Sequence, residues 1–262
     1  MRTRIHDKAG AELFSHDGDL REALEAAVEA GVELAHAMLD GADLSGADLG
    51  ELNLRQASLR GANLRNANLA DIDLDGANLH EANLRGANLE HAEMHEVVLA
   101  GANLEGCNLE DARLIGANLV GINAQGANLE GVDFSRANLE GANLEGANLE
   151  DARLSEANLS RVNLQRANLE GVDLDGANLT HADLRSANVE RADLRDAILE
   201  DANLRGANLE RVQFDRANLT NACFDRANLE RSSFAAATLT GATFHRANLE
   251  RVKGLTMPPP SE

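Results

Sequence analysis

Tryptophan and tyrosine are absent from this 262-residue sequence, aromatics make up only 2%, and the three prolines stand together near the end. Without large side chains a broad globular core cannot be filled to normal density, so whatever is buried must be narrow. Basic residues are scarce: 24 Lys and Arg face 44 Asp and Glu, for a formal net charge of -20. That balance argues against direct binding of nucleic acid or of anionic membranes, both of which repel an acidic surface, and favours a basic or DNA-binding protein as partner. No run approaches the roughly 18 apolar residues of a membrane helix. The opening Met1-Arg2-Thr3-Arg4-Ile5-His6 leads into no apolar signal region, so a cytoplasmic protein is expected.

What the chain does have is a period of five. From Leu39 to Leu249 every fifth position follows one rule, 43 positions in all, with Leu at 35 of them. The others are Met94, Ala124, Phe134, Val189, Phe214, Phe224, Phe234 and Phe244, so only Ala124 is small. Two residues earlier sits a small residue, usually Ala, with Asn or Asp between, as in Ala62-Asn63-Leu64 and Ala142-Asn143-Leu144. A separation of two places the small and the large residue on one side of an extended segment. The next two positions, often Glu-Gly, Arg-Gly or Glu-Arg, break the alternation and turn the chain.

One such side cannot hold itself. Burying a Leu contributes about 2 kcal/mol, against roughly 1 to 2 kcal/mol for ordering each residue. Stacked coils that share a narrow interior of Ala and Leu solve this, and four near-right-angle corners would close each one in 20 residues. Ile122 and Ala124 exchange sizes within one repeat and keep the core volume. Phe214 with Phe234, and Phe224 with Phe244, lie one coil apart and are expected to stack in the core. Cys107 and Cys223 fall almost six coils apart, about 28 Å at the roughly 4.8 Å spacing of neighbouring strands. That is far beyond disulfide reach, so both are expected to be free thiols.

The run of Ala-(Asn/Asp)-Leu-x-x units resembles the pentapeptide repeat proteins over about residues 37 to 253. The resemblance implies an all-β solenoid, a right-handed quadrilateral β-helix, and supplies both the handedness and the four-sided closure, here about 11 coils at four repeats per coil. Residues 1–36 do not repeat and are expected to form a short α/β cap. Ile5, Leu13 and Phe14 suit a strand or hairpin, and one helix is predicted over about 19–30. There Asp19 and Glu22 make a capping box ahead of Leu20, Leu24, Ala27 and Val28, and Gly31 is placed to end the helix. The β-helix takes 37–253, and 254–262 is a Pro-rich tail. Either Leu255 and Met257 fold over the last coil or two chains meet end to end there, and Pro258, Pro259 and Pro260 discourage strand addition. Pairing through this end is common in the family, so the resemblance implies a homodimer.

Because the register never slips, position modulo 20 assigns each outward residue to one of four faces. The faces centred on Leu39, Leu44, Leu49 and Leu54 sum to -3, +2, -10 and -5. The most acidic face owes its charge to a ladder of Glu90, Glu110, Glu130, Glu150, Glu170, Glu190, Glu210, Glu230 and Glu250. Arg191, Arg211, Arg231 and Arg251 stand beside the last four and are expected to neutralise them. Asp48, Glu51, Asp71, Asp111 and Asp151 reinforce the earlier part, leaving an acidic stripe from about residue 48 to 171.

Two origins are open for the ladder: duplication of a soluble repeat unit, or imitation of a nucleic-acid backbone. The family resemblance bears on the second, since Qnr-type members are regarded as DNA mimics that bind DNA gyrase and topoisomerase IV and protect them from quinolones. It implies that Asp71, Glu90, Glu110, Asp111, Glu130, Glu150, Asp151 and Glu170 contact the basic DNA-binding saddle of a type II topoisomerase. The chain departs from those members in having no loop that interrupts the register and no amphipathic helix after residue 253. Val98, Ala100 and Val120 form a small secondary apolar patch, open to reading as a tolerated surface cluster or as a protein contact.

Catalysis is not expected, nor is a cofactor or metal. His91, Glu93 and His95 lie close together, but no third strong ligand with an ordered surrounding shell accompanies them. His6, His16, His36, His80, His181 and His245 are scattered without ligand spacing. Acid–base chemistry needs a carboxyl in a cleft, and a convex, loop-free stack offers none. No G-x-S-x-G or P-loop pattern occurs. The expectation is a non-catalytic binding scaffold: either a DNA mimic acting on a type II topoisomerase, or an interaction module for another protein.

Overall fold

The computed structural model describes residues 1–255; the roles expected of Met257 and of Pro258 to Pro260 lie outside the described residues. From Met38 onward the backbone forms single-residue parallel bridges between positions 20 apart, from Met38↔Ser58 to Ser233↔Lys253, without a change of register. Each coil therefore takes 20 residues and meets the next at four places.

One repeat shows why this sequence makes this backbone. In Ala142-Asn143-Leu144-Glu145-Gly146, Asn143 N–H donates to Ile122 O one coil back (2.9 Å). Leu144 N–H and Gly146 N–H donate forward, to Asn163 O (2.8 Å) and Gln165 O (2.9 Å). The Leu144 carbonyl accepts from Ala147 N–H (3.1 Å) and closes the corner. The remaining N–H, on Glu145, would be left without a partner. It donates to Asn143 Oδ1 (3.3 Å), which is the physical reason for Asn or Asp at the centre of the repeat.

The second corner residue always lies in the left-handed region. Gly146 (φ 65) takes it without strain, but Arg161 (φ 59), Arg211 (φ 61) and Ala236 (φ 59) take it too. The bridges on both sides impose the conformation on residues that do not prefer it. Ala236 is exposed, so its side chain brings little to offset the strain. Ala236→Gly is expected to stabilise the protein by roughly 0.5–1 kcal/mol, the left-handed penalty of about 1–2 kcal/mol less the added freedom of the unfolded chain. A denaturant midpoint that fails to rise would contradict this.

Inside the coils, Ala and Leu pack in one continuous core. Ile122 and Ala124 are both buried, at 2% and 1% exposure, so their size exchange is accommodated. Phe214 stacks on Phe234 with ring centroids 4.9 Å apart, Phe224 on Phe244 at 5.0 Å, and the two columns meet edge to face, Phe214 to Phe224, at 5.7 Å. Cys107 takes a buried Ala position and its thiol donates to Leu84 O (2.8 Å). Burial pushes that thiol up to about 12, so it stays protonated at neutral pH. Both cysteines are free.

The non-repeating start is an antiparallel hairpin, β1 (Arg2–His6) and β2 (Glu12–Asp17), followed by helix α1 (Leu20–Glu29). The Asp19 carboxylate accepts from Glu22 N–H, and the Glu22 carboxylate accepts from Asp19 N–H, both at 2.9 Å. At the other end Gly31 (φ 61) lets Val32 N–H reach back to Ala27 O (3.0 Å). Ala23, Leu24 and Ala27 are buried in the same core as the first coil. Strand β1 is tied to that coil by Met38 N–H to His6 O (2.9 Å) and by an antiparallel bridge Asp7↔Ala37. At the far end Phe244, Leu249, Val252 and Leu255 are only partly buried.

Candidate protein-binding face

One side of the solenoid presents a file of Asp48 and then Asn68, Asn88, Asn108 and so on to Asn248. Each side-chain amide donates to the residue one coil back: Asn68 to Asp48 (2.7 Å), Asn128 to Asn108 (2.9 Å), Asn168 to Asn148 (2.9 Å), Asn248 to Asn228 (2.8 Å). Two residues after each Asn, from Asn88 on, stands a Glu of the ladder. From Glu110 to Glu190 the carboxylate accepts from the Asn of the next coil: Glu110 from Asn128 (3.1 Å), Glu130 from Asn148 (3.3 Å), Glu150 from Asn168 (3.2 Å). Like charges about 4.8 Å apart repel, and the amide file offsets part of that cost while fixing where the carboxylates sit.

The neighbouring corner position adds Asp71, Asp111 and Asp151. A Cβ on Gly131 would collide with the Asp111 carboxylate, and one on Gly171 with that of Asp151. The alternation of Asp with Gly is what lets these carboxylates lie along the next coil. Asp71 sits 3.5 Å from His91 Nδ1. Glu110, Asp111, Glu130, Glu150 and Asp151 make no ion pair among the described residues. Beside them runs a shallow groove of about 510 Å³, lined in part by His91, Glu93, Asp111, Arg113, Asp133 and Asp151. Within it Arg113 pairs with Glu93 (3.3 Å), while Arg153 lies 3.9 Å from Asp133.

The eight expected contact residues, Asp71, Glu90, Glu110, Asp111, Glu130, Glu150, Asp151 and Glu170, therefore share one corner. Neutralisation of the ladder begins one coil earlier than expected. Arg191 reaches back to pair with Glu170, and Glu190 lies instead 3.9 Å from Arg211. Arg231 likewise lies 3.3 Å from Glu210 and 3.6 Å from Glu230. The same 21-residue pairing joins Arg161 to Glu140 (2.9 Å) and Arg166 to Glu145 (2.8 Å). A long side chain at the second corner position spans to the first corner position of the preceding coil, so a spacing of 21 pairs charges as well as the spacing of 1 that joins Arg211 to Glu210 (3.5 Å) and Arg251 to Glu250 (3.5 Å).

Val98, Ala100 and Val120 are half-buried. The file that holds Val98 also carries the exposed Met38 and Ile198 (45% and 41%), but these lie three and five coils away, too far to join one patch. His95 Nδ1 sits 2.9 Å from Asp75 and 3.5 Å from Glu93, so the ring is engaged by its own neighbours. No group of three or more His, Cys, Asp or Glu converges as a metal site among the described residues. No helix among them is long and apolar enough to cross a membrane.

Fold and face together define an acidic β-solenoid built from five-residue units. A sequence profile of pentapeptide repeats matches in 8 copies, in stretches running from 30–66 to 226–253. The chain belongs to the pentapeptide repeat family, whose members fold as right-handed β-helices. Among solved structures it is similar to HetL, a pentapeptide repeat protein involved in heterocyst differentiation regulation from the cyanobacterium Nostoc sp. strain PCC 7120, with 32% identity, 88% of this chain and 95% of that one covered, and a TM-score of 0.42. It is also similar to trypsin-treated QnrB1, a plasmid-mediated fluoroquinolone resistance protein, with 14% identity, 63% and 89% coverage and a TM-score of 0.42. A third is the pentapeptide repeat protein Rfr23 from the cyanobacterium Cyanothece 51142, with 25% identity, 54% and 90% coverage and a TM-score of 0.23. No curated protein matches the chain.

Proposed function

We propose that the protein is a non-catalytic binding scaffold whose acidic corner occupies the basic DNA-binding surface of a type II topoisomerase in place of DNA. The observation that carries this reading is linear charge density. Glu90, Glu110, Asp111, Glu130, Glu150 and Asp151 put six carboxylates on four successive coils. At about 4.8 Å per coil that is about one charge per 3 Å, near the roughly 3.4 Å between phosphates along one strand of duplex DNA. The asparagine file supports the reading further, because carboxylates held in place lose little freedom on docking.

In this proposal residues 1–36 close one end of a four-sided shaft of about 11 coils over 37–253, and the protein acts in the cytoplasm. The shaft offers one strand's worth of charge where a duplex carries two, so its hold on the saddle rests on shape as well as on charge. The test is a DNA gyrase supercoiling assay with added protein, with and without ciprofloxacin. Inhibition of supercoiling, or protection from the drug, is expected at micromolar protein. The absence of both at that concentration would overturn the proposal.

A further inference from the structure

The other edge of the asparagine-lined side carries the opposite charge. Arg166, Arg185, Arg205, Arg226 and Arg246 place one guanidinium at the same corner of five successive coils. Ser186 and Gly206 keep the corner low between them, leaving an open groove of about 350 Å³ in which four of these arginines, with Gln165, supply the rest of the lining. No carboxylate lines it.

Two of the arginines are held by partners outside the groove. Arg166 pairs with Glu145 (2.8 Å) and Arg185 with Asp183 (2.6 Å). The other three make no ion pair among the described residues. Of the 22 arginines in the sequence, only Arg2, Arg60, Arg65, Arg205, Arg226 and Arg246 lack a carboxylate within ion-pair distance among the described residues, and three of these six stand on consecutive coils of this corner. Other arginines of the same coils are matched at once: Arg195 to Asp193 (2.5 Å), Arg216 to Asp196 (2.5 Å). Among the described residues three arginines of this corner are thus left without a carboxylate partner, and Asp225, the one acidic residue at the corner on these coils, is joined to His245 (3.1 Å).

The wider field does not prevent an anion from binding here. Residues 1–160 hold 29 acidic and 11 basic residues, whereas 161–251 hold 14 and 12. The repulsion of the acidic half is screened over about 8 Å at physiological salt. A long nucleic acid would extend beyond that distance and meet the acidic half. A compact anion would not.

We propose that this corner binds an oligophosphate laid along the solenoid axis, with successive phosphates accepting from guanidiniums on neighbouring coils. The guanidinium fork matches phosphate oxygens two at a time. Equivalent positions of neighbouring coils, such as Arg226 and Arg246, stand about 4.8 Å apart along the backbone, within the reach of two arginine side chains that share one phosphate. The groove is of the size that holds a small ligand, at the lower end of the roughly 300–1,000 Å³ usual for such sites. The site does not depend on the topoisomerase reading.

The test is calorimetric titration of the full chain with inorganic triphosphate and, separately, with a nucleoside triphosphate, at near-physiological salt. Saturable binding is expected, weakened at least tenfold in the double variant Arg205→Gln/Arg226→Gln and unchanged in Arg60→Gln/Arg65→Gln, with thermal melting confirming that both variants fold. Equal affinity for the two ligands identifies the phosphate chain as what is recognised, and tighter binding of the nucleotide identifies a nucleotide; both support the site. No binding, an equal loss in the two double variants, or tighter binding of a single-stranded oligonucleotide than of triphosphate would overturn it.

Discussion

Phe214→Ala is expected to lower the unfolding free energy by about 3–5 kcal/mol, and Phe244→Ala by clearly less. Phe214 is fully buried, stacked on Phe234 and edge-on to Phe224. Its removal leaves a hole whose walls are held from above and below by the coil-to-coil bridges, so the site cannot collapse to fill it. Phe244 ends its column and is only partly buried, so water already reaches part of the space it fills. Urea unfolding of the two variants measures the difference. Equal losses would show that depth in the stack does not set the cost.

Reversing Glu110, Glu130 and Glu150 to Lys is expected to remove the effect on gyrase at least 100-fold while leaving far-UV dichroism and melting nearly unchanged. Placing three cations against a basic saddle costs several kcal/mol through like-charge contact, and each 1.4 kcal/mol is a factor of ten. The three glutamates make no ion pair among the described residues, so folding loses only their hydrogen bonds from Asn128, Asn148 and Asn168. The same change of net charge made at Glu81, Glu96 and Glu200, on the other corners, separates the stripe from bulk charge. If that control were equally inactive, the corner would have no special part.

Much of this architecture is legible because the core follows a rule of five and the coil a rule of twenty. The buried Leu and Ala positions, the aromatic columns and the capping box of Asp19 and Glu22 all follow from spacing and residue type. Other features depend on side-chain reach. That Arg191 binds Glu170 is set by the length of an arginine and the offset between coils, which a list of sequence neighbours conceals. That Asn143 satisfies the Glu145 amide appears only once the corner leaves that amide without a carbonyl. The left-handed corners are visible in Gly146 but not in Arg161 or Ala236, where bridging overrides local preference. The arginine corner is hidden for a related reason. Summed over a whole face it comes to +2, and only the ion pairs reveal which cations are free.

The unbroken bridge register also decides what a change of length would do. Removing 20 residues from the shaft would take out one coil and leave every file aligned. Removing five would still keep each Ala and Leu inside, yet it would rotate everything downstream by a quarter turn. After loss of residues 121–125, for example, Glu130 would stand over Glu105 instead of Glu110. The interior therefore counts in fives and the exterior in twenties, so a short deletion can leave the protein folded while scrambling every pattern it shows to a partner.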